Sequence, residues 1–105
     1  MPEFVTVASV NDIPEGEMLI VTVDGDDIVI ANLGGGEFVA FDNVCTHKGG
    51  PMGEGLMLPG AVIECPFHGG QFNARTGDVV SPPPTEPLPV YQVQVEGEFI
   101  KVAKP

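Results

Sequence analysis

The sequence predicts an all-β domain, mostly antiparallel, with strands at both ends of the chain and an irregular middle. Apolar and polar residues alternate in several short segments, and no stretch of ten or more residues repeats every 3.6 residues as an amphipathic helix does. Fourteen glycines and eleven prolines among 105 residues mark frequent turns. At this length we expect residues 1–105 to form a single small domain, whose modest core would benefit from a bound metal.

Turn signals divide the first third of the chain into strands. Residues 4–7 form the first apolar segment, and residues 11–16 are a turn-rich connection. Residues 17–23 and 28–33 are largely apolar or β-branched, and residues 24–27 between them have the sequence Asp-Gly-Asp-Asp. This arrangement is typical of a β-hairpin.

Three consecutive glycines then lead into a further strand, predicted over residues 37–41. Successive side chains of a strand point to opposite faces of its sheet. The alternation therefore places Phe38 and Ala40 on one face and Val39 and Phe41 on the other.

A second hairpin is predicted at the other end of the chain. Residues 90–95 alternate in polarity, and a turn at residues 96–98 leads to an apolar segment at 99–102. The irregular middle spans residues 43–77. The proline-rich segment that follows it, residues 81–89, must be extended and stiff because each proline fixes its own φ and restricts the preceding residue.

The charge of the chain is strongly negative. Fifteen acidic residues face four basic ones, which gives a formal net charge of −11. A chain without a basic stripe cannot displace the counterions of nucleic acid, and it is repelled by anionic membranes. The charge is consistent with solubility alone or with attraction to a basic patch on a protein partner.

Nothing in the sequence directs the chain to a membrane. Its first residues lack the basic and apolar regions of a secretory signal. The longest apolar run, residues 18–23, is too short to cross a bilayer. We therefore expect a soluble cytoplasmic protein.

All cysteines and histidines of the chain fall into two short blocks, each with one cysteine and one histidine and each followed by glycines. The blocks are Cys45-Thr46-His47 and Cys65-Pro66-Phe67-His68. Thiolates and imidazoles are the principal soft and borderline metal ligands in proteins, so the blocks predict a four-ligand metal site. A disulfide between the two cysteines would leave the histidines unexplained.

Two metal centres compete for these four ligands. A structural zinc site would make the chain a zinc-stabilised interaction module, but zinc modules usually pair cysteine with cysteine and histidine with histidine. Mixed blocks suit a [2Fe-2S] cluster in which one iron takes two thiolates and the other takes two imidazoles. Because each block mixes cysteine with histidine, the iron–sulfur cluster is favoured over zinc. The colour of the purified protein distinguishes the two metal centres.

The two blocks, together with Gly69-Gly70-Gln71-Phe72 after the second, resemble the Rieske iron–sulfur motif. Over nearly its whole length the chain is similar to small Rieske-type ferredoxins of bacterial multicomponent aromatic-ring-hydroxylating dioxygenase systems. The resemblance implies the Rieske fold, in which an antiparallel, β-sandwich-like base carries an inserted cluster-binding subdomain. Here the base would comprise residues 1–42 and 82–105, and the subdomain about 43–81.

The same resemblance implies the ligands and the function. Cys45 and Cys65 would ligate one iron of a single [2Fe-2S] cluster, and His47 and His68 the other. The chain would carry one electron from an NAD(P)H-dependent ferredoxin reductase to a terminal Rieske oxygenase, as a monomer and without catalytic residues of its own. A mononuclear oxygenase site would need two histidines beyond His47 and His68, and the chain has no others. The alternative is a small Rieske subunit of a nitrite reductase or hydroxylase.

The chain departs from one branch of the Rieske proteins at four positions. Rieske proteins of respiratory and photosynthetic cytochrome complexes have a further disulfide where this chain has Gly50 and Phe67. They also have cluster-bonding hydroxyls where it has Gly70 and Phe72. With fewer hydrogen bonds to the cluster, we expect a midpoint potential toward the low end of the Rieske range, on the order of −150 mV.

Overall fold

The structure, a computed structural model, describes residues 3–46, 49–67, 69–82 and 84–103. This part of the chain consists of ten β-strands, two 3₁₀-helices and connecting loops, which confirms the predicted all-β class. In chain order the elements are β1 (Phe4–Ser9), the first 3₁₀-helix (Val10–Asp12), β2 (Met18–Val23), β3 (Asp26–Gly34), β4 (Glu37–Asp42), the second 3₁₀-helix (Met52–Glu54), β5 (Leu56–Leu58), β6 (Val62–Glu64), β7 (Gln71–Asn73), β8 (Val79–Ser81), β9 (Val90–Glu96) and β10 (Phe99–Ala103). Across the described ranges, no helix has the length and apolar character needed to cross a membrane.

The strands form two antiparallel sheets. The larger sheet has six strands in the order β1-β10-β9-β4-β3-β2, and the smaller one has β5 to β8 in chain order. The two halves of the larger sheet meet at only two paired positions, Ala40 with Tyr91 and Phe41 with Val90. The smaller sheet lies within residues 43–81, the predicted subdomain, whose boundaries remain a prediction.

Each face of β3 and β4 packs into a different core, which we call the base core and the loop core. The base core lies between the two halves of the larger sheet, which therefore face each other as in a sandwich. The base core consists of Ile13, Val23, Ile28, Ile30, Ala40, Ile100 and Val102. The loop core lies between the larger sheet, the smaller sheet and the ligand loops. The loop core consists of Val29, Ala31, Phe41, Cys45, Met52, Ile63, Cys65, Phe72, Ala74 and Leu88.

The faces predicted for β4 are confirmed. Ala40 belongs to the base core with Phe38 packed against it, whereas Phe41 belongs to the loop core with Val39 packed against it. Strand β3 is buried on both faces, so its sequence from Ile28 to Ala31 is an uninterrupted apolar run.

Two predicted features of the chain are corrected by the structure. The turn between β2 and β3 is shorter than residues 24–27, because Val23 already pairs with Asp26. Only Asp24 and Gly25 form the turn, and both have positive φ, 51° and 84°, which suits the twist of a two-residue hairpin. The middle of the chain, residues 43–77, is not irregular throughout, since it contains β5 to β7, and β8 follows shortly after it. With three residues each, these strands are too short to produce a visible alternation.

An ion pair connects the two sheets at their surface. The guanidinium of Arg75, in the loop after β7, donates two hydrogen bonds to the carboxylate of Glu37 at the start of β4, with lengths of 2.8 and 2.9 Å. This bidentate contact lowers the pKa of Glu37. Both groups are exposed, so water screens the pair and its effect on stability is small.

The proline-rich segment is attached to the loop core through Leu88. This side chain is buried, and its backbone N–H donates to the carbonyl of Gly77 at 2.7 Å. A Cβ atom on Gly77 would lie 2.0 Å from the carbonyl oxygen of Leu88. Position 77 therefore has no room for a side chain while the segment stays in place.

We predict that Gly77→Ala lowers the free energy of unfolding by about 2 kcal/mol more than Gly60→Ala does, because only Gly77 is overpacked. Both glycines have a φ of +83°, but no atom lies within 4 Å of a Cβ built on Gly60. The two substitutions therefore share the cost of a left-handed backbone and differ in the clash. Urea unfolding followed by circular dichroism measures both, and equal losses of stability would contradict the prediction.

Candidate metal centre

The first ligand loop begins directly after β4. The backbone N–H of Cys45 donates to the carbonyl of Gly50 at 2.9 Å, and the N–H of Gly49 donates back to the carbonyl of Cys45 at 2.9 Å. Outside this pair of bonds, Val44 and Pro51 form an isolated β-bridge. The loop is thus a closed turn whose first residue is a predicted ligand.

The second ligand loop shares one of these bonds with the first. It connects β6 with β7, and the backbone N–H of Cys65 donates to the carbonyl of Gly70 at 2.7 Å. In both loops the cysteine is therefore bonded to the glycine five residues further along the chain. Two similar turns, one from each sheet, present one cysteine each.

The two cysteines meet inside the loop core. Cys45 is 3% exposed and Cys65 is 1% exposed, both are free thiols, and the side chain of Cys45 is a hydrogen-bonding partner of Cys65. Burial raises the pKa of the Cys65 thiol above its ordinary value. The backbone N–H of Phe67 lowers that pKa by bonding to the sulfur, and the neighbouring Cys45 raises it.

Close contact between the ligand loops depends on Gly50. A Cβ atom on this residue would lie 2.8 Å from Sγ of Cys65 and 3.0 Å from Cγ of Phe67. Gly50 and Phe67 are the positions at which the cytochrome-complex proteins have their further disulfide. Here a glycine packs against a half-exposed aromatic ring instead.

The predicted ligand set is placed only in part. The structure brings Cys45 and Cys65 together, whereas His47 and His68 lie outside the described residues. Two buried thiols in contact, with no disulfide between them, fit the thiolate half of a [2Fe-2S] ligand set. They come from two different loops, as the paired sequence blocks predicted.

Sequence reasoning missed a bond that attaches the first ligand loop to the proline-rich segment. The hydroxyl of Thr46 donates to the carbonyl of Glu86 at 2.9 Å, across forty residues. A threonine between two predicted ligands gives no signal of such a distant partner. The bond, with the Leu88 contact described above, places the proline-rich segment beside the ligand loops.

The match to a protein-family model covers the ligand loops described above. The model of the Rieske [2Fe-2S] domain matches residues 3–92, which include both ligand loops. The chain belongs to the Rieske [2Fe-2S] domain family. Rieske domains carry a [2Fe-2S] cluster, so the family and the buried thiols agree on the kind of metal centre.

Individual Rieske proteins are similar over almost the whole chain. The biphenyl dioxygenase ferredoxin subunit of Pseudomonas sp. (strain KKS102) is 44% identical over 99 residues, which cover 94% of this chain and 90% of that protein. The ferredoxin of carbazole 1,9a-dioxygenase from Nocardioides aromaticivorans IC177 superposes with a TM-score of 0.91 at 32% identity, covering 97% of this chain and 98% of the other.

Two further solved structures are similar to the Rieske fold of this chain. One is a complex of reduced oxygenase and oxidised ferredoxin in carbazole 1,9a-dioxygenase, which contains a chain 38% identical to this one, with a TM-score of 0.87 and coverage of 95% and 92%. The other is a putative NADH-dependent nitrite reductase small subunit from Mycobacterium tuberculosis, with a TM-score of 0.89 and coverage of 100% and 97%. At 22% identity the latter shares the fold alone.

We predict that Thr46→Val loosens the proline-rich segment, because valine has the shape of threonine but no hydroxyl to donate to Glu86. Loss of the bond should lower the free energy of unfolding by about 1 kcal/mol. It should also speed hydrogen exchange of the Leu88 amide, which nuclear magnetic resonance measures. Thr46→Ser keeps the hydroxyl donor, so its Leu88 amide should exchange at the wild-type rate. A Leu88 exchange rate that is equal in Thr46→Val and wild type would refute the prediction.

Proposed function

We propose that this chain is the electron-carrier component of a multicomponent aromatic-ring dioxygenase system. It takes one electron from an NAD(P)H-dependent reductase and delivers it to the terminal oxygenase. The observation that carries the proposal is the pair of buried, free cysteines that two loops with the same cysteine-to-glycine backbone bond bring into contact. Relatives named as dioxygenase ferredoxins, up to 44% identical over nearly the whole chain, support the choice of system.

Four residues hold the cluster in this proposal. Cys45 and Cys65 ligate one iron, and His47 and His68 ligate the other. Residues 43–81 form the cluster-binding subdomain, mounted on a base of residues 1–42 and 82–105. When bound, the cluster supplies a redox centre that accepts and releases a single electron.

The residues around the thiols suit this role. Because Cys45 and Cys65 are almost completely buried, water has little access to their sulfur atoms. The N–H of Phe67 donates to the sulfur of Cys65, and such a bond stabilises added negative charge there. Gly50 has no side chain that would separate the two loops, since a Cβ atom there would lie 2.8 Å from Sγ of Cys65.

The partners follow from the charge and from the comparisons. A related ferredoxin occurs in complex with its oxygenase, which supports a terminal oxygenase as the acceptor of the electron. A net charge of −11 would attract basic surfaces on the oxygenase and on the reductase and speed their encounter. The chain acts in the cytoplasm as a monomer, where reductase and oxygenase bind to it in turn.

The chain has no catalytic role of its own. Both of its histidines are assigned to the cluster, which leaves no histidine for a mononuclear iron site or for activating a nucleophile. A nitrite reductase subunit shares the fold, but no described residue of the ligand loops favours that assignment over the dioxygenase system.

The function is tested by reconstitution. The purified holoprotein is mixed with the reductase and terminal oxygenase of a biphenyl or carbazole dioxygenase system, and substrate-dependent NADH consumption is recorded. We expect consumption that requires all three components and that ceases when Cys45→Ser replaces the wild type. Absence of coupling to both systems, with reductase and oxygenase active alongside their own ferredoxins, would contradict the proposal.

The ligand assignment is tested on the protein alone. His47→Ala and His68→Ala should each abolish the normal visible and EPR spectra of the cluster, whereas Asn11→Ala, on the exposed first 3₁₀-helix, should leave them unchanged. The midpoint potential of the wild type should be on the order of −150 mV. Unchanged spectra in either histidine variant would refute the assignment, and a colourless protein with one zinc would refute the cluster itself.

A further inference from the structure

We propose that Asn43 is a positioning residue for the first ligand loop and that its uncharged amide closes this loop without adding negative charge beside the cluster. The proposal rests on the function proposed above, because it assumes a cluster at Cys45. It assigns a role to a residue that ligates nothing itself.

Asn43 stands out by its burial. Apart from the two cysteines, it is the one residue with a polar side chain that is buried among the described residues, with 8% of its surface exposed. It lies directly after β4 and two residues before Cys45. A buried polar group must be hydrogen-bonded, because an unpaired one has lost its bonds to water without replacing them. The partners of Asn43 therefore indicate what the residue does.

Three hydrogen bonds connect Asn43 with two other segments. Its backbone N–H donates to the carbonyl of Asp27, at the start of β3, at 3.2 Å. Its carbonyl accepts from the N–H of Met52 at 2.7 Å, and its side-chain Oδ1 accepts from the N–H of Gly53 at 2.9 Å. The last two bonds join the residue before the ligand loop to the 3₁₀-helix after it, so they close the loop from outside.

The side-chain bond lies in a tightly packed place. A Cβ atom on Gly53 would lie 2.3 Å from Cγ1 of Ile20 and 3.2 Å from Oδ1 of Asn43. Gly53 is thus held between the edge strand β2 and the amide of Asn43. Without Oδ1 its N–H would lose the acceptor that the structure provides, and the backbone bond from Met52 would be left to close the loop alone.

The choice of an amide has an electrostatic consequence. A carboxylate at this position could accept the same bond from Gly53, and the chain is otherwise rich in carboxylates, with fifteen. A buried carboxylate two residues from Cys45 would, however, repel the electron added on reduction, because burial weakens the screening by water. Asparagine supplies the acceptor and avoids that repulsion.

The positioning role is tested by removing the acceptor. Asn43→Leu and the milder Asn43→Ala are compared with wild type in the rate at which the holoprotein loses its visible absorbance in the presence of a chelator. Loss of a buried hydrogen bond predicts roughly tenfold faster decay. Asn11→Leu, an exposed asparagine far from the site along the chain, is the matched control and should decay as wild type does. Decay of Asn43→Ala at the wild-type rate would overturn the positioning role.

The role of the uncharged amide is tested by Asn43→Asp, which keeps the acceptor and adds the charge. At pH 8 its visible spectrum should match the wild type, while its equilibrium constant for reduction should fall about tenfold, a shift of about 59 mV to more negative potential for one electron. A midpoint potential equal to that of the wild type would overturn the proposed role of the uncharged amide. Both measurements use the holoprotein without its partners, so a failure to couple with an oxygenase would not affect them, and a colourless wild type would refute the proposed function instead.

Discussion

The structure depends on a pair of strands that is buried on both faces. Strands β3 and β4 separate the base core from the loop core and contribute side chains to both. An antiparallel sheet usually exposes one face to water, and its strands then alternate in polarity. Here the second face is covered by the smaller sheet and the ligand loops, so folding of the base and formation of the metal centre share one sheet. Phe41 and Cys45 lie in the same core for this reason.

Glycine allows the ligand loops to approach each other closely enough for two thiols to touch. Gly50 lies against Cys65 and Phe67, where any side chain would separate the loops. Matching bonds from Cys45 to Gly50 and from Cys65 to Gly70 fix each cysteine at the start of its turn. Two short turns and the core into which they fold thus place both thiols of the proposed ligand set.

Much of this could be predicted from the sequence, and the rest could not for physical reasons. The faces of β4 were predictable because a period of two is visible over six residues, and the metal centre because all its candidate ligands fall in two blocks. Strands β5 to β8 were missed because three residues cannot establish a period. The bonds of Thr46 to Glu86 and of Asn43 to Gly53 join residues forty and ten positions apart, and only the folded chain brings them together.

The narrow junction between β4 and β9 has a topological consequence. The N–H of Asp42 donates to the carbonyl of Pro89 at 3.0 Å, so the chain leaves the base and returns to it at nearly the same point. A segment with adjacent ends can be lengthened or replaced at a cost in loop-closure entropy that grows only slowly with its length. The insert can therefore change in length without moving the ends of β4 and β9, provided that it still covers the faces of β3 and β4 that belong to the loop core.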